Sequence, residues 1–367
     1  MTSSVGRSPG RVNLIGEHTD YNQGLCLPLT IPYATTVTAT SREDDGVTVR
    51  SDTQDEPWTG THATTGPGAA EGWATYAVGV LWALQEEGWH LPGVDLEVRS
   101  TVPMGAGLSS SAALECAVAV AVCGLTGREL TGDLRHQLVA ACRRAESEVA
   151  GAPTGGLDQS AVLLSAPGAG LLIDFEDGST RDVPLPWDEA GRTLLVVDTR
   201  VSHALTDGGY GARRQDCEAA AEALGLPSLR RATLRDVGGL DDPRLRARAR
   251  HVVTENARVA DAVAAVESGD WAALGELMIA SHDSLRDDYE VSCAELDLVV
   301  ATALDAGALG ARMTGGGFGG SAIALVPAER AEAVRRAVDA AFAAAGFAAP
   351  RHLDAGPSGP AELLRSP

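Results

Sequence analysis

Apolar and polar positions alternate in "TTVTAT" (35–40) and "GVTVRS" (46–51), which predicts two strands joined by a turn at "REDDG" (42–46). The period then lengthens. Over "GWATYAVGVLWALQEEGW" (72–89), Ala74, Ala77, Val78, Leu81 and Leu84 share one helical face. "DLEVRSTVP" (95–103) alternates again and predicts a strand. It leads through "GAGLSSS" (105–111) into the apolar "AALECAVAVAVCGL" (112–125), so a helix is expected over 109–124. A further helix is expected over 131–151, capped by Thr131 or Asp133 and stopped by Gly151. "AVLLSAPGAGLLIDF" (161–175) reads as strands around a Pro-Gly turn.

"RTLLVVDT" (192–199) reads as a buried strand. A domain boundary is placed just before it, in "PLPWDEAG" (184–191), dividing the chain into 1–190 and 191–367. The second half shows helical patterns near 210–224, 244–267, 270–286 and 292–306. A glycine-rich segment at 315–320, a strand "SAIALV" (321–326) and an alanine-rich helix over 327–345 follow. The tail "GPSGPAELLRSP" (356–367) reads as loosely held. The expectation is a two-domain α+β protein without internal repeats.

Composition narrows the chemistry. The chain has 367 residues, is 44% hydrophobic and carries a net charge of −21, which argues against nucleic-acid or anionic-membrane partners. All 29 basic residues are arginine. A P-loop lysine, the strand lysine of protein kinases and a lysine Schiff base are therefore excluded. "GGGFGG" (315–320) matches G-x-G-x-x-G through Gly315, Gly317 and Gly320, but an apolar strand follows it where a dinucleotide site needs a helix. The six cysteines form no C-x-x-C pair and read as buried free thiols of a reducing cytosol. The opening "MTSSVGRSPGR" has no apolar targeting stretch, and no apolar run is long enough to span a bilayer. A cytoplasmic, monomeric protein is expected.

Three segments carry candidate chemistry. At the expected helix start, the hydroxyls of Ser109, Ser110 and Ser111 can cap, free N–H groups face outward with the dipole, and Gly105 and Gly107 admit close approach. That arrangement suits a phosphate; the alternative is an ordinary capped helix start. "GRVNLIGEHTDYNQG" (10–24) packs Arg11, Asn13, Glu17, His18, Asp20 and Tyr21 after a strand pattern broken by Gly16. Carboxylates beside a histidine suit a polyhydroxylated ligand, and a solvated polar turn is the alternative. In "GAPTGGLDQSAVLL" (151–164), Asp158 follows a glycine pair and precedes an apolar element, as a cap or as a positioned base, with Glu146 twelve residues earlier.

In order along the chain, these stretches resemble the GHMP family of small-molecule kinases. "PMGAGLSSSAALE" (103–115) resembles its phosphate-binding motif and "ARMTGGGFGGSAIAL" (311–325) its C-terminal glycine motif. "PGRVNLIGEHTDYNQG" (9–24) resembles the N-terminal signature of the family's sugar kinases, and "GLDQ" (156–159) and "YGARRQDCEAA" (210–220) also fit them. The resemblance implies an N-terminal domain like ribosomal protein S5 domain 2, a ferredoxin-like C-terminal domain, and an active site in the cleft between them. It implies ATP-dependent phosphorylation of the C1 hydroxyl of α-D-galactose, with a kinase for another sugar or a non-catalytic sugar sensor as alternatives.

On that resemblance Asp158 is the base and Arg11 stabilises the transferring phosphoryl. Glu17, His18, Thr19, Asp20, Gly155 and Tyr210 bind the sugar, Ser111 and Glu146 bind Mg²⁺, and ATP lies on Gly105, Ala106, Gly107, Leu108, Ser109, Ser110 and Ser111. Trp73 and Tyr76 resemble the adenine wall. Thr154 and Gly156-Leu157 replace the family's cysteine and isoleucine-methionine, and Ser321 stands where cysteine is common. Asp158 is expected to pair with Arg11 and to be oriented by it.

Overall fold

The computed structural model describes residues 2–152, 154–201 and 208–364. The last three residues of the predicted tail lie outside them. In chain order the strands are β1 (Ser3–Asn13), β2 (Leu25–Cys26), β3 (Pro28–Ser41), β4 (Gly46–Ser51), β5 (Trp58–Thr61), β6 (Val94–Ser100), β7 (Ala169–Asp174), β8 (Thr180–Pro184), β9 (Arg192–Asp198), β10 (Gly310–Thr314), β11 (Ser321–Pro327), β12 (Arg351–Asp354) and β13 (Glu362–Leu364). The helices are α1 (Ala74–Glu86), α2 (Ser110–Leu125), α3 (Gly132–Arg144), α4 (Leu157–Leu164), α5 (Gly209–Ala223), α6 (Leu234–Gly238), α7 (Pro243–Ser268), α8 (Trp271–Asp287), α9 (Ala294–Asp305) and α10 (Ala331–Ala345).

A six-stranded sheet runs β13-β1-β3-β6-β4-β5. The alternation of β3 and β6 sends Val37, Ala39, Leu96 and Val98 to one face, where α1 and α2 cover them. The turn at 42–46 does join two strands, but they are not partners. β6 lies between them, antiparallel to β3 and parallel to β4. Thr131 caps α3 by accepting from the Leu134 amide, and Gly151 at φ +70 follows the end of that helical segment.

The second sheet runs β10-β11-β9-β12, with every neighbouring pair antiparallel. Numbered within the domain this is 2-3-1-4, the ferredoxin-like order. The continuous apolar run of β9 has a simple cause: both of its faces are covered. Leu194 and Val196 join Val12, Leu14 and Leu29 in a core shared with the first sheet. Leu195 and Val197 face the other way, under α5, α7 and α9. The two domains are thus sealed by a common apolar layer, and truncating Leu194 to alanine would cost about 2–5 kcal/mol.

Two expectations are corrected. "AVLL" (161–164) is the end of helix α4 and not a strand, because Gly156 at φ +98 starts a helix whose Val162 and Leu163 reach the first core. Over its described residues, 356–364, the tail is held and not loose. Ala361 is fully buried, its amide donates to Val162 O at 2.6 Å, and β13 pairs with β1. The last strand therefore belongs to the first sheet, although it follows residue 191. Among the described residues no helix is long and apolar enough to cross a membrane.

Candidate active site

Arg11 is placed by an irregularity in β1. The pairing with β3 shifts register between Pro9 and Arg11, and the Arg11 amide donates to Leu108 O at 3.2 Å. Gly10 makes room, since a Cβ there would sit 2.8 Å from Leu108 O. The guanidinium is buried beneath the loop of residues 105–109. Its Nη1 donates to Gly107 O at 2.8 Å, and its Nε and Nη2 reach Asp158 Oδ1 at 2.7 and 2.6 Å. Asp158 stands in the first turn of α4, so the expected Arg11–Asp158 pair is formed.

Three successive carbonyls of the loop turn inward. Ala106 O accepts from Ser321 Oγ at 2.6 Å, Gly107 O from the Arg11 side chain and Leu108 O from the Arg11 amide. Among the described residues, no main-chain N–H from 105 to 111 donates to a protein acceptor. Ala106 and Leu108 are buried as anchors, while Gly105, Ser110 and Ser111 remain accessible. Free amides at the start of a sixteen-residue helix form a ready anion cradle. One detail is corrected here. Ser109 does not cap α2: it sits at φ 57, ψ 49 without a capping bond, and its hydroxyl donates to Asp158 Oδ2 at 2.5 Å. The segment 315–320 joins β10 to β11 and lays its backbone on this loop, as a Cβ on Gly315 would lie 3.1 Å from Gly107 O. It forms no dinucleotide turn, as the strand context predicted.

Beside Asp158 lies the polar cluster of residues 17–20. Glu17 is buried and accepts from Asn13 Nδ2 at 3.0 Å, from the Gly315 amide at 2.7 Å and from Thr314 Oγ1 at 3.2 Å. Burial pushes its carboxyl upward against the opposing charge of Arg312. His18 shares a 2.9 Å hydrogen bond between Nδ1 and Tyr21 Oη, and its ring centroid lies 5.4 Å from Tyr210 and 4.7 Å from Tyr289. Burial, then the neighbouring His251, lowers it to about 3, so the ring is neutral. Its buried Nε2 makes no well-formed hydrogen bond, although the Gly316 main chain lies near enough to act on the ring.

Asp20 is raised to about 6, chiefly by burial, with the charges of Asp158 and Glu17 adding to this against the Tyr21 amide. Gly155 touches it so closely that a Cβ would overlap its carboxylate oxygen. Thr19 does not join the group. Its side chain is fully buried, and the hydroxyl is shared between Gly16 O and Leu25 O at 2.9 and 2.7 Å, closing the loop from behind.

On the other side of Asp158, α3 loosens into a π-helical turn, Ala145–Val149, that carries Glu146. The nearby Ser111 hydroxyl favours the ionised form of Glu146. Gln159 Nε2 donates to Glu146 Oε2 at 2.6 Å and to Glu115 Oε2 at 2.9 Å. Glu115 is fully buried, and burial and the Glu146 charge push it far above the carboxylate range. Glu146 rises to about 7 through burial and the charge of Asp158. Among the described residues, no three His, Cys, Asp or Glu side chains cluster to hold a metal. Trp73 stands just before α1, half-buried against the first core, and the Tyr76 phenol is raised by burial and by the charges of Glu146 and Glu115.

Sequence reading missed Gln159, Thr314, Tyr289 and the role of Glu115. Only Glu115 left a local signal, a lone charge inside an apolar helix.

An anion cradle facing an oriented carboxylate is what a kinase acting on a small hydroxylated molecule requires. Comparison with known proteins agrees. The chain matches the models of the GHMP kinases N terminal domain over residues 75–166, the galactokinase galactose-binding signature over 2–41 and the GHMP kinases C terminal over 262–344. It is 49% identical to a galactokinase of Streptomyces coelicolor over 98% of this chain and 94% of that one, and 47% identical to a galactokinase of Mycobacterium tuberculosis over 95% and 96%. The crystal structure of Lactococcus lactis galactokinase complexed with galactose superposes with a TM-score of 0.93 at 33% identity, covering 99% of this chain and 95% of that one. A mevalonate kinase at 17% identity and a TM-score of 0.70, covering 99% of both chains, shares the fold. The chain belongs to the GHMP kinases and, within them, to the galactokinase family.

Proposed function

We propose that the protein transfers the γ-phosphoryl group of ATP to the C1 hydroxyl of α-D-galactose, giving galactose 1-phosphate and ADP. The observation that carries the reading is Asp158, held by Arg11 and Ser109 between the free amides of residues 105–111 and the carboxylates of Glu17 and Asp20. Asp158 takes the C1 hydroxyl proton as the oxygen attacks phosphorus. Arg11 has N–H groups left after its bonds to Asp158 and Gly107 O, and these face the developing charge on the transferred group. Glu17, Asp20, His18, Gly155 and Tyr210 form the sugar side. Asp20 is an acceptor for one hydroxyl pair, and His18 Nε2, which makes no well-formed hydrogen bond, addresses another.

A magnesium ion fits Ser111 and Glu146. A buried carboxylate raised to about 7 has no resident cation, and two protein donors suit an ion whose remaining positions are filled by phosphate and water. When bound, it neutralises phosphate charge. Trp73 and Tyr76 would flank the adenine. The six free cysteines, five of them buried, support a reducing, cytoplasmic setting.

The test is ADP release with ATP and Mg²⁺ on galactose, galactosamine, arabinose, glucuronate and glucose. Galactose is expected to lead, and glucose to trail because an epimer leaves Asp20 unpaired. Turnover led by another sugar would reassign the substrate. Absence of turnover with all five would point to a sensor.

A further inference from the structure

The geometry points to Ser109 as a positioning residue for phosphoryl transfer: its hydroxyl orients Asp158 and is not part of the phosphate cradle. This rests on the reading of Asp158 as the base.

Three positions of the loop have positive φ: Gly105 at 74, Gly107 at 71 and Ser109 at 57. Two are glycines, which adopt this region freely. The third keeps a side chain in a conformation that costs a non-glycine residue about 1 kcal/mol or more. That conformation has a definite result. A serine in the usual extended cap geometry would turn its oxygen onto the amides of the first helical turn. Ser109 makes no such bond and points at Asp158 Oδ2, 2.5 Å away. The amides are left for phosphate, and the hydroxyl serves the carboxylate.

Asp158 is thereby fixed at both oxygens. Arg11 holds Oδ1 through two N–H groups, and Ser109 donates to Oδ2. Oδ2 retains a lone pair for the incoming hydroxyl. Arg11 also binds Gly107 O, so the loop that receives phosphate and the carboxylate that receives the proton are tied together at two points. Ser109 sets the plane of the base relative to the phosphate seat, and a misplacement of about 1 Å in such a constellation costs on the order of 10²-fold in rate.

The experiment compares Ser109→Ala, Ser109→Gly and Asp158→Asn in the full-length protein. Turnover is read as kcat and KM, and ATP and galactose affinities are read separately by calorimetric titration without the second substrate. Ser109→Gly guards against misfolding, because glycine takes φ near 57 without strain and should keep or raise the Tm. Both serine variants are expected to lose about ten- to a hundredfold in kcat, with ATP and galactose affinities within about twofold of wild type. Three results would overturn the inference. The first is a wild-type kcat in Ser109→Gly beside a crippled Asp158→Asn. The second is ATP affinity falling in step with kcat, which would return the hydroxyl to the cradle. The third is full turnover in Asp158→Asn, which removes the base reading and the role of Ser109 with it.

Discussion

Asp158 and Glu146 flank the same glycine-serine loop, and their negative charges are met in different ways. Asp158 has a guanidinium on one oxygen and a hydroxyl on the other, with 22% of its side chain still accessible. Glu146 is 7% exposed and accepts from the Gln159 amide, with another carboxyl across that amide and Arg11 acting on it only at a distance. A buried carboxylate without a salt-bridge partner is costly, which is why the proposed magnesium ion is placed on the Glu146 side of the loop. The Asp158 side is complete before any ligand binds. In the proposed reaction one carboxylate takes a proton and the other a metal, and direct pairing with an arginine distinguishes them.

Asp158→Asn attacks the completed side and should have the largest effect. It keeps the shape and removes the proton acceptor, so kcat should fall about 10²–10⁴-fold while galactose still binds. Steady-state ADP release together with a galactose titration checks both halves. Glu146→Gln attacks the other side. It should raise the Mg²⁺ needed for half-maximal rate about tenfold or more, without lowering the Tm of metal-free protein, because it removes an uncompensated buried charge. An unchanged Mg²⁺ titration would detach Glu146 from the metal.

Asp20 provides a third carboxylate, raised by burial but assigned to sugar. Its folded value of about 6 lies above the ordinary 3.8, so the folded protein holds the extra proton between those pH values. Its contribution to stability is full below 3.8 and is lost as pH rises through about 6. In the proposed site galactose is held by the ionised acceptor. Its Kd should therefore climb below pH 6, by up to about tenfold per pH unit, and Asp20→Asn should flatten that bend. The smallest effect is expected from Ser321→Ala. It frees Ala106 O and should cost about 1 kcal/mol in thermal unfolding, with little change in kcat.

Legibility in the sequence followed distance along the chain. The loop at 105–111 could be read because its glycines and hydroxyls act on their own backbone, and the run at 192–199 because four adjacent apolar residues need cover on both faces. "AVLL" was misread because a short apolar run carries no period of its own; the preceding Gly156, which starts a helix, decides it. The insertion of β6 between β3 and β4 is a parallel, non-local pairing that neither strand encodes by itself. The polar cluster at 17–20 was visible, but the inward turn of Thr19 depends on carbonyls brought together by folding. Glu115 could be seen as an anomaly and not as a partner, since Gln159 lies 44 residues away and only the packing of α4 on α2 brings them into contact.

The return of β13 to the edge of the first sheet changes how the halves can move. The ferredoxin-like unit is tethered by two chain crossings, between β8 and β9 and between β12 and β13, and does not hang as a pendant on one cord. Two crossings add to the shared apolar layer in fixing the halves against each other. Peeling away the last strand would leave one crossing and expose the edge of the first sheet.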